Sequence, residues 1–451
     1  GLGACSGLNT LAGGPHEWLA EALGERSTPA AGNGQPAAPA GDNTGTPAEP
    51  QPEAQLTTDT VQVHTQYLGS LAADDPQAVD LGRKMLQSRG TAADAAAAMG
   101  MTLTVTLPSR AGLDGGGVCL LHQGGAPTVQ ELDFLPPPAP GAGAQIPGVV
   151  RGMAVLQARA GVLHWQQAVG LAEKQAQTGI AITAPLLADL NAIGMSGSLK
   201  LGDVLPQRSV AATLARLRVA GATDFYTGEL ATRLTQAGVA AADLARWTPT
   251  WREASSQAIG DNHIFVPNGP GGQLALAAWS TLAQSSSGDL SAAFAAARAA
   301  HGTDKSVPVT SFVATDANGQ AVSCAIGMGG LFGTGKLIPG LDVYGAAPAD
   351  PAQFSPMVAL SSTDLIAAFA GGGGQAAPVD TATAAWLVVR NGSPVDAVLS
   401  ASRGSGDTVG TLPPDRVNAV SCPGGSPRNA TQCVAISDPR GGGYAMSADR
   451  F

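Results

Sequence analysis

The sequence predicts a mixed α/β (α+β) fold in which two packed β-sheets carry helices on their outer faces. Short apolar runs typical of strands alternate with Ala-rich segments typical of helices. Two facing sheets with helices outside bury both kinds of apolar surface around one core. The strand-like runs are 117–122, 261–266, 308–316, 320–326, 356–361, 365–370 and 433–437, and the helical segments are 92–106, 148–160, 164–178, 209–220, 228–237, 272–284, 289–300 and 379–390.

The helix predicted at 92–106 has a start signal of its own. Thr91 stands at the N-cap position, and Asp94 follows three residues later, which is the spacing of a capping box. A Gly-rich turn at 115–117 comes next, followed by the buried strand "VCLLH". We therefore expect a helix, a tight turn and a core strand in direct succession.

The composition narrows the possible functions. The chain has 451 residues, of which 44% are hydrophobic and 13% charged, and its net charge is −10. An acidic chain without a Lys/Arg run repels phosphate, so nucleic acid is not an expected partner. The six histidines are scattered and no cysteine pair has the C-x-x-C spacing, so no metal and no cofactor are expected. No apolar run reaches the roughly 18 residues of a membrane span.

The first residues resemble a bacterial lipoprotein processing site. In Leu2-Gly3-Ala4-Cys5, an apolar residue and two small ones precede a cysteine, which in exported lipoproteins carries the lipid. The chain does not begin with Met, so we expect a leader ahead of it. The alternative is a free Cys5 in a flexible N-terminus. We assign residues 1–26 to a lipoprotein-like N-terminus with a short helix and expect a periplasmic, lipid-anchored protein.

Residues 27–58 are rich in Pro, Ala, Gly and Thr and have no hydrophobic period. Such a segment cannot bury enough apolar surface to fold alone, and it predicts a tether. The folded domain is expected to span 59–451.

The remaining cysteines suggest at least one disulfide. Cys422 and Cys433 bracket a loop rich in turn-forming residues, and an exported chain is oxidised, so a bridge between them is expected. Cys119 and Cys324 lie on predicted buried strands. There they are expected to be small apolar core residues, with a bridge between them as the alternative.

Several segments, taken in order, resemble the gamma-glutamyltransferase family. They are "AADAAAAMGMTLTVTLP", "GLDGGGVCLLH", "IPGVVRGMAVLQ", "GDVLPQRSVAATLARL", "TSFVATDANGQAVSCAIGMGGLFGTG", "FSPMVALSSTDLIAAFAGGGG" and "ISDPRGGGYAMSADR". The resemblance implies a four-layer αββα sandwich of the N-terminal-nucleophile hydrolase type. It also implies a large-subunit-like part, 59–308, and a small-subunit-like part, 309–451, which in active members are separated by self-cleavage.

In that family the Thr freed by cleavage attacks the gamma-glutamyl carbonyl with its hydroxyl, and its own amine serves as the base. The resemblance places this nucleophile on Val309, which has no hydroxyl. A supporting Thr falls on Gly327 and a substrate-binding Asn on Gly329. The carboxylate-binding Arg falls on Leu135.

The other substrate-binding positions are also changed. Two substrate-binding Ser residues fall on Ala352 and Gln353. Only Gly373 and Gly374 match the pair whose backbone N–H groups form an oxyanion hole.

We therefore interpret the chain as an uncleaved, non-catalytic member of the family. Its expected role is an accessory or structural subunit of a membrane-associated periplasmic complex. One alternative is an active gamma-glutamyl hydrolase or transferase in which Thr310 replaces the nucleophile, with Ser306 and Ser311 as weaker candidates. Against Thr310, a shift of one residue along a strand turns the side chain to the opposite face. A second alternative is a periplasmic small-molecule binder.

Overall fold

A computed structural model describes residues 66–139, 144–284, 288–302, 308–373, 376–402, 416–438 and 441–450. Cys5, the tether at 27–58, Ser306 and Gly374 lie outside the described residues. Among the described residues, every helix is too short or too polar to cross a lipid bilayer.

Two antiparallel sheets form the centre of the molecule. The larger sheet has seven strands in the order β15-β1-β9-β10-β2-β3-β6, and the smaller has six in the order β14-β13-β12-β11-β8-β7. Strands β4 and β5 form a separate hairpin. The strands are β1 (Gln66–Ala73), β2 (Gly116–His122), β3 (Val129–Asp133), β4 (Ile180–Ala181), β5 (Val204–Leu205), β6 (Thr250–Glu253), β7 (Ser255–Ile259), β8 (Asn262–Val266), β9 (Val309–Asp316), β10 (Ala321–Gly327), β11 (Met357–Ser361), β12 (Asp364–Gly372), β13 (Arg416–Ser426), β14 (Val434–Ser437) and β15 (Tyr444–Arg450).

Helices cover the outer face of each sheet, so the expected four-layer αββα order is confirmed. Helices α1–α9 lie on the side of the seven-stranded sheet and α10–α13 on the side of the six-stranded sheet. The helices are α1 (Pro76–Gln87), α2 (Ala92–Thr106), α3 (Gly148–Ala160), α4 (Trp165–Thr178), α5 (Ala184–Ala192), α6 (Arg208–Ala220), α7 (Asp224–Thr227), α8 (Glu229–Gln236), α9 (Ala241–Arg246), α10 (Pro270–Ala283), α11 (Leu290–His301), α12 (Ala377–Asn391) and α13 (Val395–Ala401).

Helix α2 is the central helix of its layer, and all of its residues are buried. The predicted capping box is present, because the Thr91 and Asp94 side chains each accept from the other's backbone N–H. The helix is rich in Ala and Gly, so its neighbours approach closely. A Cβ added at Gly100 would lie only 2.5 Å from the sulfur of Met153. The small residues of the sequence therefore replace large side chains as the means of packing.

The predicted strands and helices are confirmed with small shifts at their ends, but the start of the domain was missed. Strand β1 and helix α1 were not predicted, although β1 pairs with both β9 and β15. The β1 segment, "QYLGSLAA", mixes polar and apolar residues without alternation, and α1 follows after only two residues. Its pairing partners are distant in sequence, so no local pattern could indicate them.

Strand β9 lies in the middle of the seven-stranded sheet, between β1 and β10. The junction expected between the large-subunit-like and small-subunit-like parts falls at its first residue, Val309. The two parts therefore interleave within one sheet.

Both cysteine pairs form disulfides. The Cys422–Cys433 bridge is confirmed. The expectation that Cys119 and Cys324 are unpaired core residues was wrong, although both are fully buried. They face each other on the neighbouring strands β2 and β10, and their Cα atoms are 4.2 Å apart. Sequence alone could not show this, because the strand register brings together residues that are 205 positions apart.

The two disulfides should differ in their contribution to stability. They close loops with sequence separations of 205 and 11 residues. Loop-closure entropy alone predicts about 5 kcal/mol of stabilisation for the longer loop and about 3 kcal/mol for the shorter. Urea denaturation of Cys119→Ala/Cys324→Ala and of Cys422→Ala/Cys433→Ala should give the larger loss for the first pair. Equal losses, or the reverse order, would contradict this account.

Candidate active site

Val309 begins strand β9 and faces the space between the two sheets. Its side chain is 2% exposed and packs in an apolar cluster with Val118, Ala325 and Phe354. Leu135, at the position of the expected carboxylate-binding Arg, packs against the same cluster. Apolar side chains therefore occupy the positions at which the family resemblance places a nucleophile and a carboxylate-binding Arg.

The backbone of Val309 is bound to the remaining oxyanion-hole position. The Gly373 N–H donates to the Val309 carbonyl at 2.7 Å, and the Val309 N–H donates back to the Gly373 carbonyl at 3.4 Å. This bridge joins the first residue of β9 to the end of β12, which belongs to the other sheet. The Gly373 donor is thus engaged with the chain itself. Gly374, the other member of the pair, lies outside the described residues.

The positions of the expected helper residues leave little room for side chains. A Cβ added at Gly327 would lie 3.3 Å from carbons of both Phe354 and Val309. Gly329 has φ = +73°, and a Cβ there would lie 2.4 Å from the Ala347 carbonyl oxygen. A side chain at Gly329 would strain the backbone and clash with it. At position 327, Phe354 and Val309 would have to shift slightly to admit a side chain.

The two positions expected for substrate-binding serines provide no hydroxyl groups. Ala352 and Gln353 form part of a short 3₁₀ turn that Asp350 caps through the Ala352 N–H. Gln353 is buried, and its Oε1 has no hydrogen-bond partner. Ser355, two residues along, is also buried and its hydroxyl is unpartnered. Gln353 and Ser355 are the two neighbours of Phe354 in the sequence. No sequence pattern indicated Ser355.

Thr310 points away from Val309, to the helix-covered face of the sheet. It shares its side of β9 with Phe312 and Ala314, which pack in the core beneath helices α1–α9. Its side chain is fully buried, and its hydroxyl donates to Oδ2 of Asp74 at 2.9 Å. The change of face that strand geometry predicts for a one-residue shift is present in the structure.

Asp74 is the centre of a buried polar network that sequence reasoning missed. Besides Thr310, its carboxylate accepts from the Ser311 N–H at 3.2 Å and from Nδ2 of Asn418 at 2.9 Å. Asn418 also donates to the Ser311 hydroxyl oxygen at 3.0 Å, and that hydroxyl donates to the Ala370 carbonyl. Asn418 lies on β13, so the network crosses between the sheets. The segment "AADDP" could have indicated a helix cap, but nothing in it indicates partners so distant in sequence.

Two arginines and several aspartates lie close to this network. Burial and the nearby Arg110 lower the pKa of the Arg416 guanidinium, whereas Asp74, Asp189 and Asp438 raise it. Arg110 itself makes a two-pronged ion pair with Asp189, with both N–O distances at 2.7 Å. The carboxylates of Asp74 and Asp189 are thus each matched by N–H donors or a cation.

Asp114 organises the loops on the other side of the site. Its Oδ2 accepts from the backbone N–H groups of Gln145 and Ala346, both at 2.8 Å. Burial raises the pKa of Asp114 well above its ordinary value, although those two donors oppose the shift. Asp114 thereby ties the Gly-rich turn before β2 to two loops that are distant in sequence.

Two further carboxylates, those of Asp203 and Glu229, have partners close by and do not form an acid/base pair. The Asp203 carboxylate accepts from the Lys200 N–H in a turn, and Glu229 pairs with Arg216. Both therefore serve local structure.

The fold is that of the N-terminal-nucleophile hydrolases. A solved structure of cephalosporin acylase from Bacillus halodurans superimposes with a TM-score of 0.69 at 16% identity, covering 88% of this chain and 98% of that one. At this level of identity the likeness concerns the fold alone.

The chain belongs to the gamma-glutamyltransferase family. A sequence profile described as Gamma-glutamyltranspeptidase matches residues 78–301. A glutathione hydrolase proenzyme of Pseudomonas aeruginosa is 28% identical over 222 residues, which cover 41% of this chain and 40% of that protein. Human glutathione hydrolase 5 proenzyme is 27% identical over 245 residues, covering 45% and 42%. The chain thus spans about two-fifths of the length of the curated relatives it matches.

Asp75, next to the network, should make stability depend on pH. Burial raises its pKa from 3.8 to about 6, against opposing hydrogen bonds from Thr183 and from the N–H groups of Gln77 and Ala78. The folded state therefore holds this proton more tightly than the unfolded state. Its stabilising contribution is complete below pH 3.8 and is lost as pH rises through about 6.

The Asp75→Asn variant tests this directly, because Asn caps a helix as well as Asp and does not titrate in this range. The free energy of unfolding of the variant relative to wild type should increase between pH 4 and pH 7, by about 3 kcal/mol for a shift of this size. Urea denaturation at several pH values measures it. A difference that stays constant across this range would rule out the shift.

Proposed function

We propose that this protein is a non-catalytic member of the gamma-glutamyltransferase family. We further propose that it is a lipid-anchored periplasmic protein that serves as an accessory or structural subunit of a membrane-associated complex. The observation that carries the proposal is Val309, which stands at the nucleophile position within a buried apolar cluster. A valine side chain can neither attack a carbonyl nor pass on a proton.

The residues around Val309 support the same proposal, because they too are apolar where the family resemblance implies polar groups. Phe354 fills the space beside Gly327, and Leu135 extends the cluster where a cation is expected. A buried charge in such surroundings would lack a partner and would cost several kcal/mol. The Gly373 N–H, which an oxyanion would need, is already bound to the Val309 carbonyl. Restoring activity would require several coordinated substitutions.

The geometry does not favour an active enzyme that uses Thr310. In that case the Thr310 hydroxyl would have to reach a substrate in the space between the sheets. Instead it lies on the helix-covered face and donates to Asp74. Ser311 does face the other sheet, but its hydroxyl is fully buried and bound to the Ala370 carbonyl.

The proposed location draws on the disulfides and the N-terminal motif. Two disulfides are typical of proteins that fold in an oxidising compartment outside the cytoplasm. Cys5, in its lipobox-like setting, would carry the lipid, and the Pro/Ala-rich segment 27–58 would link it to the folded domain. A scaffold that retains its fold without its chemistry can still act through its surface. The partner subunits would be recognised in that way.

The catalytic part of the proposal predicts one uncut chain without turnover. Intact mass spectrometry should show a single species, and a gamma-glutamyl-p-nitroanilide assay should show no release above background. The Val309→Thr variant should stay uncut and inactive, because Gly327 still stands in place of the supporting Thr and Leu135 in place of the carboxylate-binding Arg. Two fragments, the second beginning at Val309, Thr310 or Ser311, would overturn the proposal. So would wild-type turnover that disappears in Thr310→Ala.

The anchoring part predicts that the chain partitions into detergent when it is expressed in a bacterium behind a lipoprotein leader. Cys5→Ser should stay in the aqueous phase and lose incorporation of a fatty-acid label, whereas Cys422→Ala/Cys433→Ala should keep both. Equal partitioning of wild type and Cys5→Ser would refute lipidation. A detergent pull-down that recovers only the monomeric protein would refute the subunit role.

A further inference from the structure

A cavity of about 850 Å³ lies on the outer side of the six-stranded sheet, away from Val309. It forms between that sheet and the junction of helices α12 and α13. Helix α12 ends at Asn391, and Gly392 turns the chain away in the left-handed conformation (φ = +65°). The helix layer therefore leaves the end of the sheet uncovered.

An irregularity in the sheet makes the second wall of the cavity. The pairing of β12 with β13 breaks between Leu365 and Ala367, whose partners are Ser426 and Ser421. The residues between those two partners form a bulge, in which Pro423, Gly424 and Gly425 line the cavity while Cys422 packs between the two sheets. Its disulfide to Cys433 holds the bulge against the start of β14. Bulges of this kind often stand beside binding sites, because they redirect side chains.

The floor of the cavity is apolar. Ile366, Val388 and Val389 line it and are half-buried. Val434 lies at its rim with 51% of its surface exposed, which makes it one of the few large apolar side chains exposed in the described part of the chain. A cavity of this volume with aliphatic walls matches the size and character of small-molecule sites.

The charged groups at the cavity are mainly acidic. Asp364 is 16% exposed, and its Oδ2 lies 2.7 Å from Nη2 of Arg428, which is 75% exposed. Asp396, in the first turn of α13, is exposed and lines the same cavity. Two carboxylates against one guanidinium leave a net negative charge among the described lining residues. An organic anion would be repelled, whereas a cation would find a largely buried carboxylate whose present partner, Arg428, is mostly exposed to solvent.

We propose that this cavity binds a small amphipathic cation, that is, an ammonium group attached to a compact apolar body. The ammonium lies against Asp364 and Asp396, and the apolar body covers Ile366, Val388 and Val389. Arg428 moves toward solvent when the ligand enters. The site is independent of the Val309 region and of whether the protein has catalytic activity.

Isothermal titration with hexylammonium, hexanol and hexanoate tests the proposal, because the three probes share one apolar body and differ in the charge of the head. Hexylammonium should bind saturably and at least tenfold more tightly than hexanol, and hexanoate should bind more weakly than either. Asp364→Asn should weaken hexylammonium binding about tenfold or more and leave hexanol binding nearly unchanged.

Asp396→Asn, at an exposed position that does not threaten folding, should also weaken hexylammonium binding. The matched control is Asp243→Asn, which removes a carboxylate that pairs with Arg246 on the surface of α9 and should leave all three affinities unchanged. The proposal is overturned by any of three results. These are no saturable hexylammonium binding, hexanoate binding as tight as hexylammonium, or equal affinities in wild type and both cavity variants.

Discussion

The buried carboxylate of Asp74 is the contact that joins the two halves of this fold. It holds Thr310 and the Ser311 N–H on β9 of one sheet, and it holds Asn418 on β13 of the other. Because a buried carboxylate without donors is costly, these strands have to keep their relative positions. The start of β9 is thereby fixed with Val309 facing Gly373. A Cβ at Gly372 would lie 2.6 Å from the Asp74 carboxylate, so the end of β12 also has to be a glycine.

The apolar side chains around Val309 form one packed cluster. An active centre of this family would need a hydroxyl, an amine, a cation and free N–H donors in one cleft. Each of these would be unstable next to the aliphatic cluster of Val118, Val309 and Ala325. With a valine at position 309, apolar neighbours are favourable. The glycines at 327 and 329 then serve packing and backbone conformation.

Membership of the gamma-glutamyltransferase family and the fold of its wider class do not by themselves establish activity. The chain keeps the four layers, the central β9 strand and the loops that Asp114 ties together. A scaffold of this kind can present surfaces and cavities that have no connection with the original chemistry. The cavity beside Asp364 is formed by a sheet bulge and a helix end on the outer side of the second sheet, and the Cys422–Cys433 disulfide next to the bulge packs between the two sheets. Binding there and chemistry at Val309 would be independent of each other.

The sequence by itself determined the layer order, most helices, about half of the strands, the capping box at Thr91 and the absence of a hydroxyl at 309. These features follow from local periodicity, from short-range caps and from an ordered series of motifs, all of which can be read along the chain. Only the tertiary structure decided the Cys119–Cys324 bridge, the pairing of β1 with β9 and β15, and the role of Asp74. It also decided that Phe354 fills the space at Gly327. These contacts join residues far apart in sequence, and their energies depend on strand register and burial, which no local pattern contains.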